Sequence, residues 1–311
     1  MAIKIDLITG FLGAGKTTFL KYYCEYLLSK GEKIGILEND FGAINIDVLL
    51  LNDLKDKVGI EMVSGGCDAD CHKRRFKTQL ISMKMMGYTR IIVEPSGIYD
   101  LDEFFDTLHE YPLDDWYQID NVISIVDANI DTNISFESRY VFASQIALSG
   151  KIVLSKVQLA NPNEIENTLD FIGKTLKEFN CSYDFKNDLI IKPFKDIDFD
   201  TIINASYSHR SIVKLPVFDS SQYETLFFMN KNYKIKDFSN VIDELFCDKT
   251  CGNVIRVKGY IFDNNKWYEI NITKQDKTYK EVTSGQDVII VIGESLNSKE
   301  IFKYLGEMKL D

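Results

Sequence analysis

Gly10-Phe11-Leu12-Gly13-Ala14-Gly15-Lys16-Thr17-Thr18 is the stretch that decides the fold. It fits G-x-x-x-x-G-K-[ST], the phosphate-binding P-loop. The flanking residues agree. Ile3 to Thr9 is a short apolar run that reads as a buried strand, and Thr17 to Lys30 reads as a helix with Phe19, Leu20, Tyr23, Cys24, Leu27 and Leu28 on its apolar face. Strand, glycine-rich turn and helix form the context the motif requires. Backbone N–H groups of a loop lined by Gly10, Gly13, Ala14 and Gly15 can approach phosphate oxygens, and the helix N-terminus adds the positive end of its dipole. Lys16 is expected to reach the β- and γ-phosphates. Thr17 is expected to ligate Mg²⁺, and Thr18 to touch the α-phosphate.

Downstream, strands alternate with helices, the pattern of a mainly parallel sheet. Lys33 to Leu37 reads as a strand that runs into Glu38-Asn39-Asp40-Phe41-Gly42, with Asp47 a little further on. Ligands of doubly wound sheets sit at the carboxyl ends of strands, so Asp40 and Asp47 are candidates for contact with metal-bound or attacking water. Val58 to Val63 is a strand that leads to Ser64-Gly65-Gly66-Cys67, and His72 to Met86 is helical in pattern. Arg90-Ile91-Ile92-Val93-Glu94 is an apolar strand closed by a carboxylate, the Walker B position at which an acid serves Mg²⁺. Gly97 follows Pro95-Ser96 and can turn its N–H toward a γ-phosphate. Val122 to Val126, Lys151 to Leu154 and Leu189 to Ile191 read as strands, and Ser138 to Ser149 and Asn163 to Phe179 as helices. The pattern changes near residue 205. A nucleotide-binding domain is expected over 1–205, and a smaller α+β domain on an antiparallel sheet over 206–311. The strands of the second domain are Glu224 to Met229, Val254 to Phe262, Lys266 to Ile272, Lys277 to Val282 and Asp287 to Ile292, with helices at Lys236 to Phe246 and Ser298 to Met308.

The 311 residues carry a net charge of −11, which opposes nucleic acid as the main partner, because phosphate backbones need a basic face. The sequence has no apolar run long enough to span a membrane and no signal peptide. Its six cysteines do not suggest a disulfide framework, and the expectation is a cytoplasmic protein with reduced thiols.

Several stretches together resemble the CobW/HypB/UreG group of P-loop GTPases, most closely its two-domain CobW-like branch. They are the P-loop itself, Glu38-Asn39-Asp40-Phe41-Gly42 with Ile46-Asp47, Gly66-Cys67, Glu94-Pro95-Ser96-Gly97 and Val126-Asp127-Ala128. Gln145-Ile146-Ala147 and Ile152-Val153-Leu154-Ser155-Lys156 add to these, as do Ile255-Arg256-Val257-Lys258-Gly259 and Val291-Ile292-Gly293 near the C-terminus. The resemblance implies Mg²⁺-dependent GTP hydrolysis tied to inserting or trafficking zinc, cobalt or nickel, with a client metalloprotein or a cofactor-maturation factor (cobalamin among them) as partner.

Two departures stand out. The guanine-reading Asn-Lys-x-Asp of the family appears as Ser155-Lys156-Val157-Gln158. The aspartate accepts two hydrogen bonds from guanine, whereas Gln158 has one acceptor oxygen and an opposing NH₂. At about 1.5–3 kcal/mol per charged hydrogen bond, guanine preference falls about tenfold or more, which leaves GTP with relaxed selectivity or ATP. The Cys-x-Cys-Cys metal motif of the family appears as Cys67-Asp68-Ala69-Asp70-Cys71-His72. Thiolate and imidazole suit Zn²⁺ and also Co²⁺ or Ni²⁺. On a helix, Cys67 and Cys71 are one turn apart and His72 points elsewhere. Such an incomplete set suits a site that passes its metal on, or one completed by a second subunit in a nucleotide-dependent homodimer. Two other function classes fit a P-loop. A small-molecule kinase would want a lid with arginines, and none lies between Glu94 and Asp127. A non-catalytic nucleotide sensor would release no phosphate.

Overall fold

Runs of apolar, β-branched residues make strands that bury both faces, which is how parallel strands read. The computed structural model describes residues 2–40, 54, 56–64, 69–99, 101–203, 223–229, 231 and 233–306. Seven strands form the first sheet among these residues: β1 (Ile3–Thr9), β2 (Ile34–Asp40), β3 (Gly59–Ser64), β4 (Arg90–Pro95), β5 (Tyr117–Asp127), β6 (Lys151–Ser155) and β7 (Leu189–Ile191). Their order is β3-β2-β4-β1-β5-β6-β7, and every neighbouring pair is parallel. The helices are α1 (Lys16–Ser29), α2 (Ala69–Met85), α3 (Leu101–Leu108), α4 (Leu113–Trp116), α5 (Phe136–Ala147) and α6 (Pro162–Glu178).

Successive strand residues point to opposite faces. Ile8, Ile36, Ile92 and Ile125 pack with Phe19, Leu20 and Tyr23 of α1. Leu7, Leu37, Ile91 and Val93 pack on the other face with Phe76 and Leu80 of α2 and Phe104 of α3. Each cluster occupies one face of the sheet, so the strands must hold their register.

The protein divides into two compact units, residues 1–216 and 217–311. The second unit holds an antiparallel sheet of β8 (Tyr223–Met229), β9 (Asn253–Asp263), β10 (Lys266–Thr273), β11 (Lys277–Val282) and β12 (Val288–Glu294) in the order β11-β10-β9-β12-β8. Asn264 and Asn265, at φ 51° and 62°, make the two-residue turn between β9 and β10. Helices α7 (Ile235–Cys247) and α8 (Ser298–Leu305) cover one face, with Phe238, Ile242 and Ile301 packed on Val257, Ile270 and Ile289. The expected fold class is therefore found: a parallel P-loop sheet, then an antiparallel α+β unit.

Some boundaries move. Helix α2 starts at Ala69 rather than His72, and β5 starts at Tyr117 rather than Val122. Helix α8 stops at Leu305 rather than Met308, because Gly306 (φ 76°) leaves the helical region. Helices α3 and α4 were not anticipated. Among the described residues no helix is long and apolar enough to cross a membrane.

A buried group of ion pairs centred on Arg90 lies inside the first unit. Arg90 Nη1 sits 2.6 Å from Asp6 Oδ2 and 2.8 Å from Asp120 Oδ2, with Arg90 2% exposed and Asp6 fully buried. Tyr23 donates its hydroxyl to Asp6 at 2.8 Å, and Asn121 donates N–H and Nδ2 at 3.0 and 3.1 Å. Burial raises the Asp6 carboxyl above its ordinary range, while Arg90 and then Tyr23 pull it back. Removing one partner of such a pair strands a buried charge. Arg90→Met is expected to lower stability by about 3–5 kcal/mol in urea denaturation. Lys4→Met should cost no more than about 1 kcal/mol, since the Lys4 side chain of the Lys4–Asp120 pair is 39% exposed. Equal losses in the two variants would contradict this ranking.

Candidate functional site

The P-loop path is dictated by glycines. Gly10, Gly13 and Gly15 have φ of 144°, 76° and 92°, a region closed to most side chains. At Gly10 a Cβ would lie 2.2 Å from the carbonyl oxygen of Ile125, so β1 leaves the sheet pressed against β5. Gly15 caps α1, whose first turn carries no acidic residue, so its positive dipole end stays uncompensated by its own side chains. Ala14 is buried and its N–H donates to Phe11 O at 3.2 Å, closing the turn.

Lys16 is buried and curls back over the loop, with Nζ 2.9 Å from Gly10 O and 3.5 Å from Phe11 O. Its charge therefore lies over the mouth of the cradle. Thr17 is half-buried and donates Oγ1 to Glu94 Oε1 at 2.8 Å, and Thr18 is exposed. The Thr17–Glu94 bond spans 77 positions in sequence and brings the P-loop hydroxyl to the Walker B carboxylate. A hydroxyl and a carboxylate so placed are hard oxygen donors, the set that Mg²⁺ takes.

Parallel register sets the other acids. Glu38 on β2 stands opposite Glu94 on β4, and both are buried. Both face α1: burial raises the Cys24 thiol first, and Glu94 and Glu38 raise it further. That keeps Cys24 a neutral thiol. Glu38 was passed over in the sequence in favour of Asp40. The signal available was parity, since Glu38 shares its face with Ile34 and Ile36. Asp40 closes β2 with its backbone paired to Ser64, while Asp47 and Cys67 lie outside the described residues.

Gly97 belongs to a turn just after β4 in which Tyr99 N donates to Ser96 O at 3.0 Å. A Cβ on Gly97 would lie 2.6 Å from Leu12 N and 2.9 Å from Leu12 Cα, so this turn rests on the P-loop backbone. On the base side, Ser155 is buried and its Oγ donates to Val126 O at 3.3 Å. Ser155 Cβ and the Phe194 ring lie 3.6 and 3.9 Å from where a Gly15 Cβ would be. Lys156 has φ 55° and its Nζ pairs with Asp127 Oδ2 at 2.7 Å. Gln158 is exposed in the following turn.

Of the thiol and imidazole candidates, Cys71 is half-buried on α2, and His72 is buried with its ring 6.4 Å from that of Tyr99. Among the described residues no group of three or more His, Cys, Asp or Glu is arranged to hold a metal ion.

The CobW/HypB/UreG nucleotide-binding domain model matches residues 4–185. The zinc chaperone YjiA of Escherichia coli is 28% identical over 169 residues, covering 52% of this chain and 52% of that protein. The zinc-regulated GTPase metalloprotein activator 1 of Schizosaccharomyces pombe is 26% identical over 190 residues, covering 58% of this chain and 44% of that protein. The chain thus spans about half the length of the curated relatives it matches. The crystal structure of Zn(II)-bound YjiA from E. coli aligns over 98% of both chains at 18% identity and TM-score 0.42. With more than half of its length matched by that model, this chain belongs to the CobW/HypB/UreG family.

Proposed function

We propose that the protein binds a nucleoside triphosphate, GTP foremost, with Mg²⁺, and hydrolyses it to drive transfer of a metal ion to a client metalloprotein. The observation that carries this reading is the 2.8 Å bond between Thr17 and Glu94 beside a buried Lys16. P-loop amides, Gly10 to Thr18, receive the phosphates, and Lys16 moves from Gly10 O onto the β–γ bridge and γ-oxygens. Thr17 and Glu94 would hold Mg²⁺ directly or through water, and the ion would supply positive charge where the leaving phosphate group accumulates negative charge. A carboxylate, Asp40 or Asp47, orients the attacking water. Gly97 reports the γ-phosphate. Turnover is slow, because the sequence offers no evident arginine finger to stabilise the transition state.

The cargo is zinc on this reading, supported by the names of the relatives, with Cys67 and Cys71 as its ligands from this chain. A second subunit bound in the triphosphate state would complete their coordination. The nucleotide domain is taken as 1–205, and residues 206–311 recognise the client. The working compartment is the cytoplasm, where thiols stay reduced.

Three measurements test this. Lys16→Ala should reduce phosphate release by about 10²-fold or more, and unchanged release would remove the hydrolase reading. Calorimetry with Mg²⁺ should show GTP bound over ATP by a modest margin, and Gln158→Asp should widen that margin about tenfold. A clear ATP preference in the unmodified protein would refute GTP as the substrate. The Cys67→Ser/Cys71→Ser double variant should bind zinc at least about tenfold more weakly. Unchanged zinc affinity would refute the ligand assignment.

A further inference from the structure

Gln145 lies on α5, far in sequence from the phosphate site, and is fully buried. Its Nε2 donates to Gly97 O at 3.0 Å across 48 positions. A carbonyl accepts and cannot donate, so the amide nitrogen has to be the atom facing it. The other amide atom, Oε1, is buried and has no hydrogen-bond partner among the described residues.

The segment that Gln145 grips is held at two more points. Ser96 N–H donates to Asn39 O at 2.8 Å, and Gly97 rests on the P-loop at Leu12. The turn bond from Tyr99 N to Ser96 O makes Gly97–Ile98 its central peptide. The backbone of this segment carries C=O and N–H groups in alternation. A glutamine amide can meet either group. An orphaned buried acceptor costs free energy, which points to a state of the turn in which an N–H is turned toward Oε1.

We propose that Gln145 is a positioning residue for the nucleotide-responsive turn. In the structure it holds Gly97 by one bond, through Nε2. With triphosphate bound, the segment shifts without losing that bond and Oε1 accepts a neighbouring backbone N–H as well, so Gln145 favours the triphosphate state over the diphosphate state. The inference rests on the proposal that Gly97 reports the γ-phosphate. Helix α5 carries the effect onward. It is followed within three residues by β6, just before which Gly150 N donates to Val122 O at 2.8 Å, and β6 ends at Ser155 beside Gly15. The γ-phosphate turn and the base-side loop are thereby tied to one helix.

The test uses Gln145→Met, which keeps the volume and removes both polar atoms. GDP and a non-hydrolysable GTP analogue are titrated into the full chain by calorimetry with Mg²⁺. Loss of one differential hydrogen bond should weaken the analogue about fivefold and leave GDP affinity unchanged. GDP binding also reports that the variant is folded. Gly97→Ala, which crowds Leu12 N, should reduce the same discrimination, and the double variant should lose less than the sum of the two. A Gln145→Met protein that binds both nucleotides as the unmodified chain does, or loses both equally, would overturn the inference and leave the P-loop reading intact. An unmodified chain that binds neither nucleotide would overturn both.

Discussion

The hydrogen bond from Thr17 to Glu94 is the contact on which the functional edge depends. It joins the first turn of α1 to the end of β4, and so fixes the mouth of the P-loop against the centre of the sheet. Its geometry rests on register. Strand β1 lies between β4 and β5, with Leu7 opposite Val93 and Thr9 opposite Ser124. One residue of slip would turn Glu94 to the face that packs α2 and α3, away from Thr17. The close approach of Gly10 to Ile125 O and of Gly97 to Leu12 N act in the same way. Backbone packed at that distance leaves the loop one path across the strand ends.

The register has its own anchor. Pairing of β1 with β5 shifts between Ile5–Ile119 and Leu7–Val122, so β5 carries one extra residue there. A bulge leaves an N–H out of the ladder. Asp6 accepts the N–H of Asn121 at 3.0 Å and balances its own charge on Arg90. The buried ion pair is thus tied to a particular backbone irregularity. An apolar substitute could fill the space, but it would remove the acceptor that Asp6 offers the Asn121 N–H.

Much of this was legible in the sequence. The P-loop, the strand ending in Glu94 and the alternation of helix and strand fixed the fold class, because each rests on local pattern. Glu38 was legible in principle, by its parity with Ile34 and Ile36, but an acidic cluster at a strand end draws the eye to its exposed-looking members. Helix α3 carries Leu101, Phe104 and Leu108 at helical spacing, in a segment that is otherwise acidic. What the sequence withheld was contact between distant segments. Nothing local marks Gly97 as lying against Leu12, or Gln145 as reaching its carbonyl. Both follow only from the way α5 and β4 are packed around one sheet.

The base side shows how recognition is shared out. Lys156 stands in a left-handed backbone conformation with its charge paired to Asp127, and Gln158 faces solvent. Neither arrangement offers guanine the pair of charged hydrogen bonds that an aspartate would. What flanks Gly15 is a buried serine and the edge of Phe194, which offer shape and apolar contact. Apolar pockets discriminate weakly between similar rings, whereas unpaired charge discriminates strongly. The phosphate side is the reverse, with Lys16, an uncompensated helix N-terminus and a glycine turn all converging on one point. On the proposed function, binding energy concentrates on the phosphate chain, and its length is read more sharply than the identity of the base. That is the requirement for a switch whose two states differ by one phosphoryl group.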